Sequence, residues 1–240
     1  RHQRSVTMRQ IILDTETTGL EPSQGHRIIE LAGVEVFSRR MTGNHFHRYL
    51  NPGRKSDEAA KQVHGIEDDF LLDKAKFPEI AKEFVDYIAG AELIIHNAPF
   101  DLGFLNNELG LAGFKTVQDY VASVTDTLVV AKELHPGKRN NLNALCDRYQ
   151  IDNSKRTLHG ALLDAELLGE VYLAMTRGQE SLIMDLEAPS AKEELQGMIH
   201  ADILVIRANE AELAAHERVL ANIAKESKGK AVWQLAVAEA

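Results

Sequence analysis

The segment RQIILDTETTG, residues 9–19, constrains the fold more than any other: three consecutive large apolar residues run into two carboxylates set two positions apart. The Ile-Ile-Leu run reads as a short buried strand. On a strand, residues i and i+2 share a face, so Asp14 and Glu16 are expected to point the same way. An outer strand face would simply solvate the two acids. The apolar run before them and the Thr-Thr-Gly turn after them argue instead for a central strand, where unpaired acids are costly. Two carboxylates fixed on one rigid face suit a shared divalent metal.

Two further segments strengthen that reading. Asp101 follows the apolar run AELIIHN and opens a predicted helix. A carboxylate there is either a functional group or one favoured by the helix dipole. His96 is as readily a satisfied core histidine as a contact. Asn97 could hydrogen-bond a nucleotide, and Phe100 could stack on a base or pack in the core. In HGALLD, His159 and Asp164 are five apart, about 140° of rotation on a continuous helix, so they would not share a face. Asp164 is therefore placed within a helix facing the sheet, and His159 in the loop before it, beside Gly160. With an ordinary pKa of about 6.5, such a histidine suits a general base. His26, His135, His200 and His216 read as surface residues. Four carboxylates and one histidine can hold two metals and deprotonate a water, which points to metal-dependent cleavage of a phosphodiester.

The net charge of -9 argues at first sight against a nucleic-acid partner. Residues 180–240 hold 11 acidic and 6 basic side chains, net -5, and residues 1–179 hold 25 and 21, net -4. Two divalent cations would offset the four proposed ligands, so a polyanionic substrate is not excluded. The single cysteine, Cys146, forms no internal disulfide and fits a reducing cytoplasm. No apolar run is long enough for a membrane span. Residues 1–8 are read as a leader without structural consequence.

Strands and helices then alternate. RIIELAGVEVFSRR and GNHFHRYLNP, joined by a turn at MTGN, read as an antiparallel meander on the first strand. A short helical stretch is expected between Asp57 and Gly65. Apolar residues at 77, 80, 81, 84, 85 and 88 mark a helix closed by Gly90. AELIIHN and YVASVTDT give two more strands. FDLGFLNNELG, LVVAKELHPG, NLNALCDRYQI and GALLDAELLGEVYLAMT give helices. The expectation is an α/β sheet with one antiparallel member. Past Met175, residues 177–200 read as a linker, DILVIRA as a strand, and EAELAAHERVLANIAKE as a helix with Leu213, Leu220 and Ile223 along one side. The segment 201–240 is too small to bury its own apolar face and is expected to need a partner.

The three motifs together resemble the DEDD exonuclease superfamily, in the branch whose fifth residue is histidine. Asp14 and Glu16, Asp101 at the end of HNAPFD, and His159 with Asp164 match its pattern over residues 9–176. VHGI, FLLDK and PGKRNNLNALCDRYQIDNSKRTLHGALLDAELLGEVYLAMT are similar to the proofreading exonucleases of bacterial replicative polymerases. The resemblance implies a ribonuclease-H-like fold, with a mixed five-stranded sheet flanked by helices, and 3′–5′ hydrolysis of DNA that releases nucleoside monophosphates. It implies two divalent metals, Mg2+ or Mn2+: one held by Asp14, Asp101 and Asp164, the second mainly by Asp14, with Glu16 completing the site. His159 would take the proton of the attacking water.

By the same resemblance Thr15, Thr17, Thr18, Gly19 and His64 hold the terminal nucleotide, with Asn97 and Phe100 beside it. For the Thr–Gly run, turn formation after a strand is an equal reading. Glu58 falls slightly early for the glutamate expected before VHGI, and no role is assigned to it. Lys138, Arg139, Lys155 and Arg156 flank the site, either meeting phosphates or solvated. Gln179, Leu182 and Met184 in QESLIM are similar to a sliding-clamp motif, with methionine replacing its terminal aromatic. The resemblance assigns residues 201–240 to the polymerase catalytic subunit and implies a small accessory subunit on the exonuclease domain. The alternatives are an RNA-trimming exonuclease of the same superfamily, and a subunit that mainly bridges polymerase and clamp.

Overall fold

Ile11, Ile12 and Leu13 are fully buried. Their strand, β1 (Gln10–Thr17), is the middle strand of a five-stranded sheet of order β3-β2-β1-β4-β5. The computed structural model describes residues 9–177 and 209–226, which fall in two separate units. β2 (Ile28–Phe37) pairs antiparallel with both β1 and β3 (Arg40–Tyr49), while β4 (Glu92–Ile95) and β5 (Ser123–Asp126) continue the sheet in parallel on the other side of β1. β2 thus runs against the other four strands, as the sequence led us to expect.

The helices are α1 (Glu58–His64), α2 (Asp68–Leu71), α3 (Phe77–Ile88), α4 (Ala98–Leu111), α5 (Thr127–Leu134), α6 (Leu142–Tyr149) and α7 (Ala161–Met175). Alternate residues of β1 feed two cores. Ile11 and Leu13 join Phe77, Phe84 and Phe104 in the α3/α4 layer, and Ile12 joins Leu145, Cys146 and Leu168 in the α6/α7 layer. Sheets buried on both faces read as continuous apolar runs, which is why the Ile-Ile-Leu triplet was informative. The six apolar positions expected on α3 are all buried.

Two boundaries differ from expectation. The β2–β3 turn lies at Ser38 and Arg39, with φ of 48° and 59°, rather than at MTGN. Two consecutive left-handed residues match the twist of paired strands. Met41–Asn44 instead belongs to β3, where the register slips between Val34 and Val36 and Gly43 takes a φ of 81°. Glu35 accepts hydrogen bonds from Thr42 and Asn44 and so satisfies this bulge. α4 opens at Ala98 rather than Asp101, with Pro99 in its first turn, where the missing N–H costs nothing.

In the second unit, α8 (Glu210–Glu226) is capped by Asn209 and Glu212, each side chain accepting from the other's backbone N–H. Leu213 and Ile223 are exposed on it, and Leu220 is half-buried. The leader, the motif Gln179, Leu182 and Met184, His200, the DILVIRA segment and the last residues from 227 lie outside the described residues. No helix among the described residues is long and apolar enough to cross a membrane.

Candidate active site

Three elements bring their polar ends to one cavity of about 580 Å³. The end of β1 supplies Asp14 and Glu16, the first turn of α4 supplies Asp101, and the first turn of α7 supplies Asp164, with His159 in the loop ahead of it. Asp101 and Asp164 are buried. By strand alternation Asp14 and Glu16 share the face of Ile12, toward α7, while Thr15 turns toward α4. Thr15 Oγ1 accordingly donates to Asp101 Oδ1 at 2.7 Å.

Residues not singled out in the sequence fix these elements. Asp126, at the end of β5, accepts from Asn97 N–H (3.0 Å), Ala98 N–H (3.2 Å) and Leu128 N–H (2.8 Å), so one carboxylate caps both α4 and α5. Glu30, buried opposite Glu16, accepts from the Ala161 N–H at the start of α7 (3.1 Å) and contacts His47 Nε2 (2.8 Å). The first was signalled by an Asp before a helical run. The second is a long-range contact that no local pattern reports.

Burial, aided by neighbouring acids, raises the carboxyl pKa values of Asp14, Glu16 and Asp101. Burial pushes the Glu16 carboxyl up to about 8, helped by Asp164, Glu30 and Asp101. Burial lifts Asp101 to about 7 against the pull of its Thr15 hydrogen bond. Asp14 is held well above the usual carboxylate range, by burial and then by Asp101 and Glu16. Ligand atoms of Glu16, His159 and Asp164 all lie within 4.8 Å of one another, with Asp14 and Asp101 in the same cavity wall. Buried acids that oppose each other's ionisation are relieved by a cation, and hard oxygen donors suit magnesium or manganese. The residues present therefore fit a divalent metal site.

Arg156 is the arginine lining this cavity, and its Nε and Nη2 donate to the two oxygens of Asp164 at 2.5 and 2.6 Å. Lys138, Arg139 and Lys155 are exposed outside the cavity lining. His159 is held below its ordinary pKa by burial and by Arg156, hence neutral at pH 7.

His64 is buried and lines the cavity. Its Nδ1 accepts from the Ile66 N–H at 3.0 Å, which places the proton of the neutral ring on Nε2. That Nε2 has no protein partner. Burial lowers its pKa and keeps the ring neutral. Asn97 and Phe100 line the cavity too, and Phe100 also packs on Phe104 with ring centroids 5.1 Å apart. His96 lines it with Nδ1 2.9 Å from Thr127 Oγ1.

Thr15, Thr17 and Gly19 reach the cavity, with the Thr17 hydroxyl donated to the Gly19 carbonyl at 2.7 Å. Thr18 does not line it: it is fully buried, 3.1 Å from His26 Nδ1. This also corrects the reading of His26 as a surface residue. Its ring is buried under Gly19, where a Cβ would come within 2.3 Å of it. His135 is half-buried against the Tyr149 hydroxyl at 2.7 Å, whereas His216 is exposed. Glu58 is exposed and does not line the cavity, while the neighbouring Ala59 does.

Residues 11–172 match the RNase T family model, described as exonuclease. DNA polymerase III subunit epsilon of Pasteurella multocida is 50% identical over 241 residues, covering 96% of this chain and 95% of the relative. That of Escherichia coli K12 is 50% identical over 237 residues, covering 94% and 97%. Among solved structures, exonuclease X in complex with 5′-overhanging duplex DNA superposes with a TM-score of 0.56 at 22% identity, over 70% of this chain and 91% of that one. The nuclease domain of 3′hExo, a DEDDh family member bound to rAMP, gives 0.59 at 19% identity, over 73% and 94%. These two share the fold. With half its residues identical along nearly its whole length, the chain belongs to the epsilon subunit family of DNA polymerase III.

Proposed function

We propose that the proofreading 3′–5′ exonuclease activity of this epsilon subunit is carried by Asp14, Glu16, Asp101, Asp164 and His159, acting on a frayed DNA 3′ end. The observation that carries the assignment is their convergence, from β1, α4 and the start of α7, on one cavity. Two divalent cations held by the four carboxylates would supply Lewis-acid activation of the water and neutralise charge at the departing oxygen. His159, neutral and partly exposed at the cavity edge, takes the proton of the attacking water. The bond from phosphorus to the 3′ oxygen breaks, and the terminal nucleotide leaves as its 5′-monophosphate.

The chain's other residues bind and orient. The His64 Nε2–H is a buried donor whose acceptor is supplied by the terminal nucleotide. The Gly19 shelf, resting on His26, and Thr17 bring backbone close to it. Thr15 acts by orienting Asp101. Asn97 hydrogen-bonds the nucleotide, and Phe100 offers a ring face at the cavity wall.

Around this core, Gln179, Leu182 and Met184 meet the sliding clamp, residues 201–240 meet the polymerase catalytic subunit, and a small accessory subunit sits on the exonuclease domain. The exposed Leu213 and Ile223 of α8 support the polymerase contact. Work at the bacterial replication fork, in the cytoplasm, follows. The match to epsilon relatives extends well past residue 176, which disfavours a free-standing RNA trimmer and is compatible with bridging alongside catalysis.

The test is digestion of 3′-labelled single-stranded DNA and RNA with magnesium, against a chelator control. Label released from DNA as mononucleotide, and only with metal, is expected. Internal cleavage, or undiminished release under chelation, would overturn the proposal.

A further inference from the structure

Arg156 is placed oddly for a site that must bind metal. Its Nε and Nη2 fork takes both oxygens of Asp164. Nη2 also lies 3.2 and 3.3 Å from the ring nitrogens of His159. Nη1 donates to Asn143 Oδ1 at 2.8 Å. The ion-paired side chains are 7% and 5% exposed, so this is a built contact rather than a loose surface pair. The guanidinium thus sits against two of the three groups, His159 and Asp164, whose ligand atoms converge with that of Glu16.

A guanidinium cannot share that space with a divalent cation. Magnesium sits about 2.0–2.1 Å from its oxygen ligands, on the same Asp164 oxygens that the Arg156 nitrogens hold at 2.5 and 2.6 Å. Two positive groups on one buried carboxylate repel strongly where water does not screen them. In the absence of metal, however, one fixed cation offsets part of the mutual repulsion of the acids. An arginine fork matches a carboxylate in a way that lysine does not.

We propose that Arg156 is the internal counter-cation of these acids before metal binds and hands Asp164 over to the metal on loading. Metal entry breaks the Nε and Nη2 bonds to Asp164, and the guanidinium swings aside on its Asn143 anchor. The inference rests on the metal-dependent reading above and adds an exchange step to it. Arg156 is then a positioning residue for the metal-free state, and its removal makes loading easier rather than harder.

Calorimetric titration of the full chain with Mn2+ compares the parent with Arg156→Gln and Arg156→Lys. Arg156→Gln is expected to bind Mn2+ roughly tenfold more tightly, within the usual range for coupled sites. Arg156→Lys, keeping the charge and losing the fork, should fall between the two. In parallel, the Arg156 Nε–H resonance of the parent, followed by NMR, should lose its hydrogen-bonded shift and slow exchange on saturation with Mg2+. Unchanged or weaker Mn2+ binding in Arg156→Gln, or an Nε–H signal that Mg2+ leaves in place, would overturn the handover and make Arg156 a permanent partner of Asp164. Absence of Mn2+ binding by the parent itself would instead overturn the metal-dependent reading, and the handover with it.

Discussion

The backbone N–H of His159 donates to the carbonyl oxygen of Val63 at 3.0 Å, so the loop carrying the proposed base hangs from the end of α1. The same end holds His64, and Gly65 closes the helix with a φ of 68°. A Cβ on Gly65 would come within 2.4 Å of Leu158 Cδ1, one residue before His159.

Gly65→Ala should therefore act twice. A non-glycine residue in the left-handed region costs about 1–2 kcal/mol, and the Leu158 side chain must turn aside, disturbing the loop that carries His159. We expect a melting temperature lower by roughly 2–8 °C and turnover lower by about tenfold or more, since displacements near 1 Å can cost about a hundredfold. Thermal melts alongside steady-state kinetics check this. Parent values in both would show that the loop is held elsewhere.

His64→Asn keeps an acceptor that can reach the Ile66 N–H and removes the Nε2 donor. A lost hydrogen bond to substrate is worth about 0.5–1.5 kcal/mol, so KM for single-stranded DNA should rise about 2- to 12-fold with little change in melting temperature. A variant with unchanged KM would remove His64 from the nucleotide site.

The metal-free protein should lose stability as pH rises. Glu16 ionises near 4.5 when unfolded and near 8 when folded, and Asp101 moves from 3.8 to about 7. Between these values the folded state binds more protons than the unfolded, so stability falls with pH, from about pH 4 until about pH 8. A chelator-treated sample should melt at least about 5 °C lower at pH 8 than at pH 6, at about 2–4 °C per kcal/mol for a chain of this size. Saturating Mg2+ should flatten the difference. Equal metal-free melting temperatures at the two pH values would mean that the folded protein does not hold Glu16 and Asp101 protonated.

The parts of this site written in local pattern were legible. β1 was announced by Ile11–Leu13, α3 by its six-residue stripe, and the break between His159 and Asp164 by a spacing that no single helix face accommodates. What escaped depends on contacts distant in sequence. Asp126 reaches back from β5 to cap α4, and Glu30 caps α7 from β2, 131 residues earlier in the chain. His26 read as surface because its burial comes from the fold of the loop around Gly19. Arg156 was one charge among four, and only folding showed that it alone reaches a carboxylate of the site. The hairpin turn was misplaced because Gly43 serves a bulge, and Ser38 and Arg39 do not advertise left-handed backbone.

The most direct test of the account is stepwise digestion of 5′-labelled single-stranded DNA by the parent and by Asp14→Ala, with metal-free melting temperatures measured on the same samples. The parent should shorten the strand one nucleotide at a time from its 3′ end. Asp14→Ala should leave it intact while melting at the parent temperature or above it, because it removes a carboxyl whose ionisation is opposed by burial and then by Asp101 and Glu16. Digestion by Asp14→Ala near the parent rate would contradict the account outright.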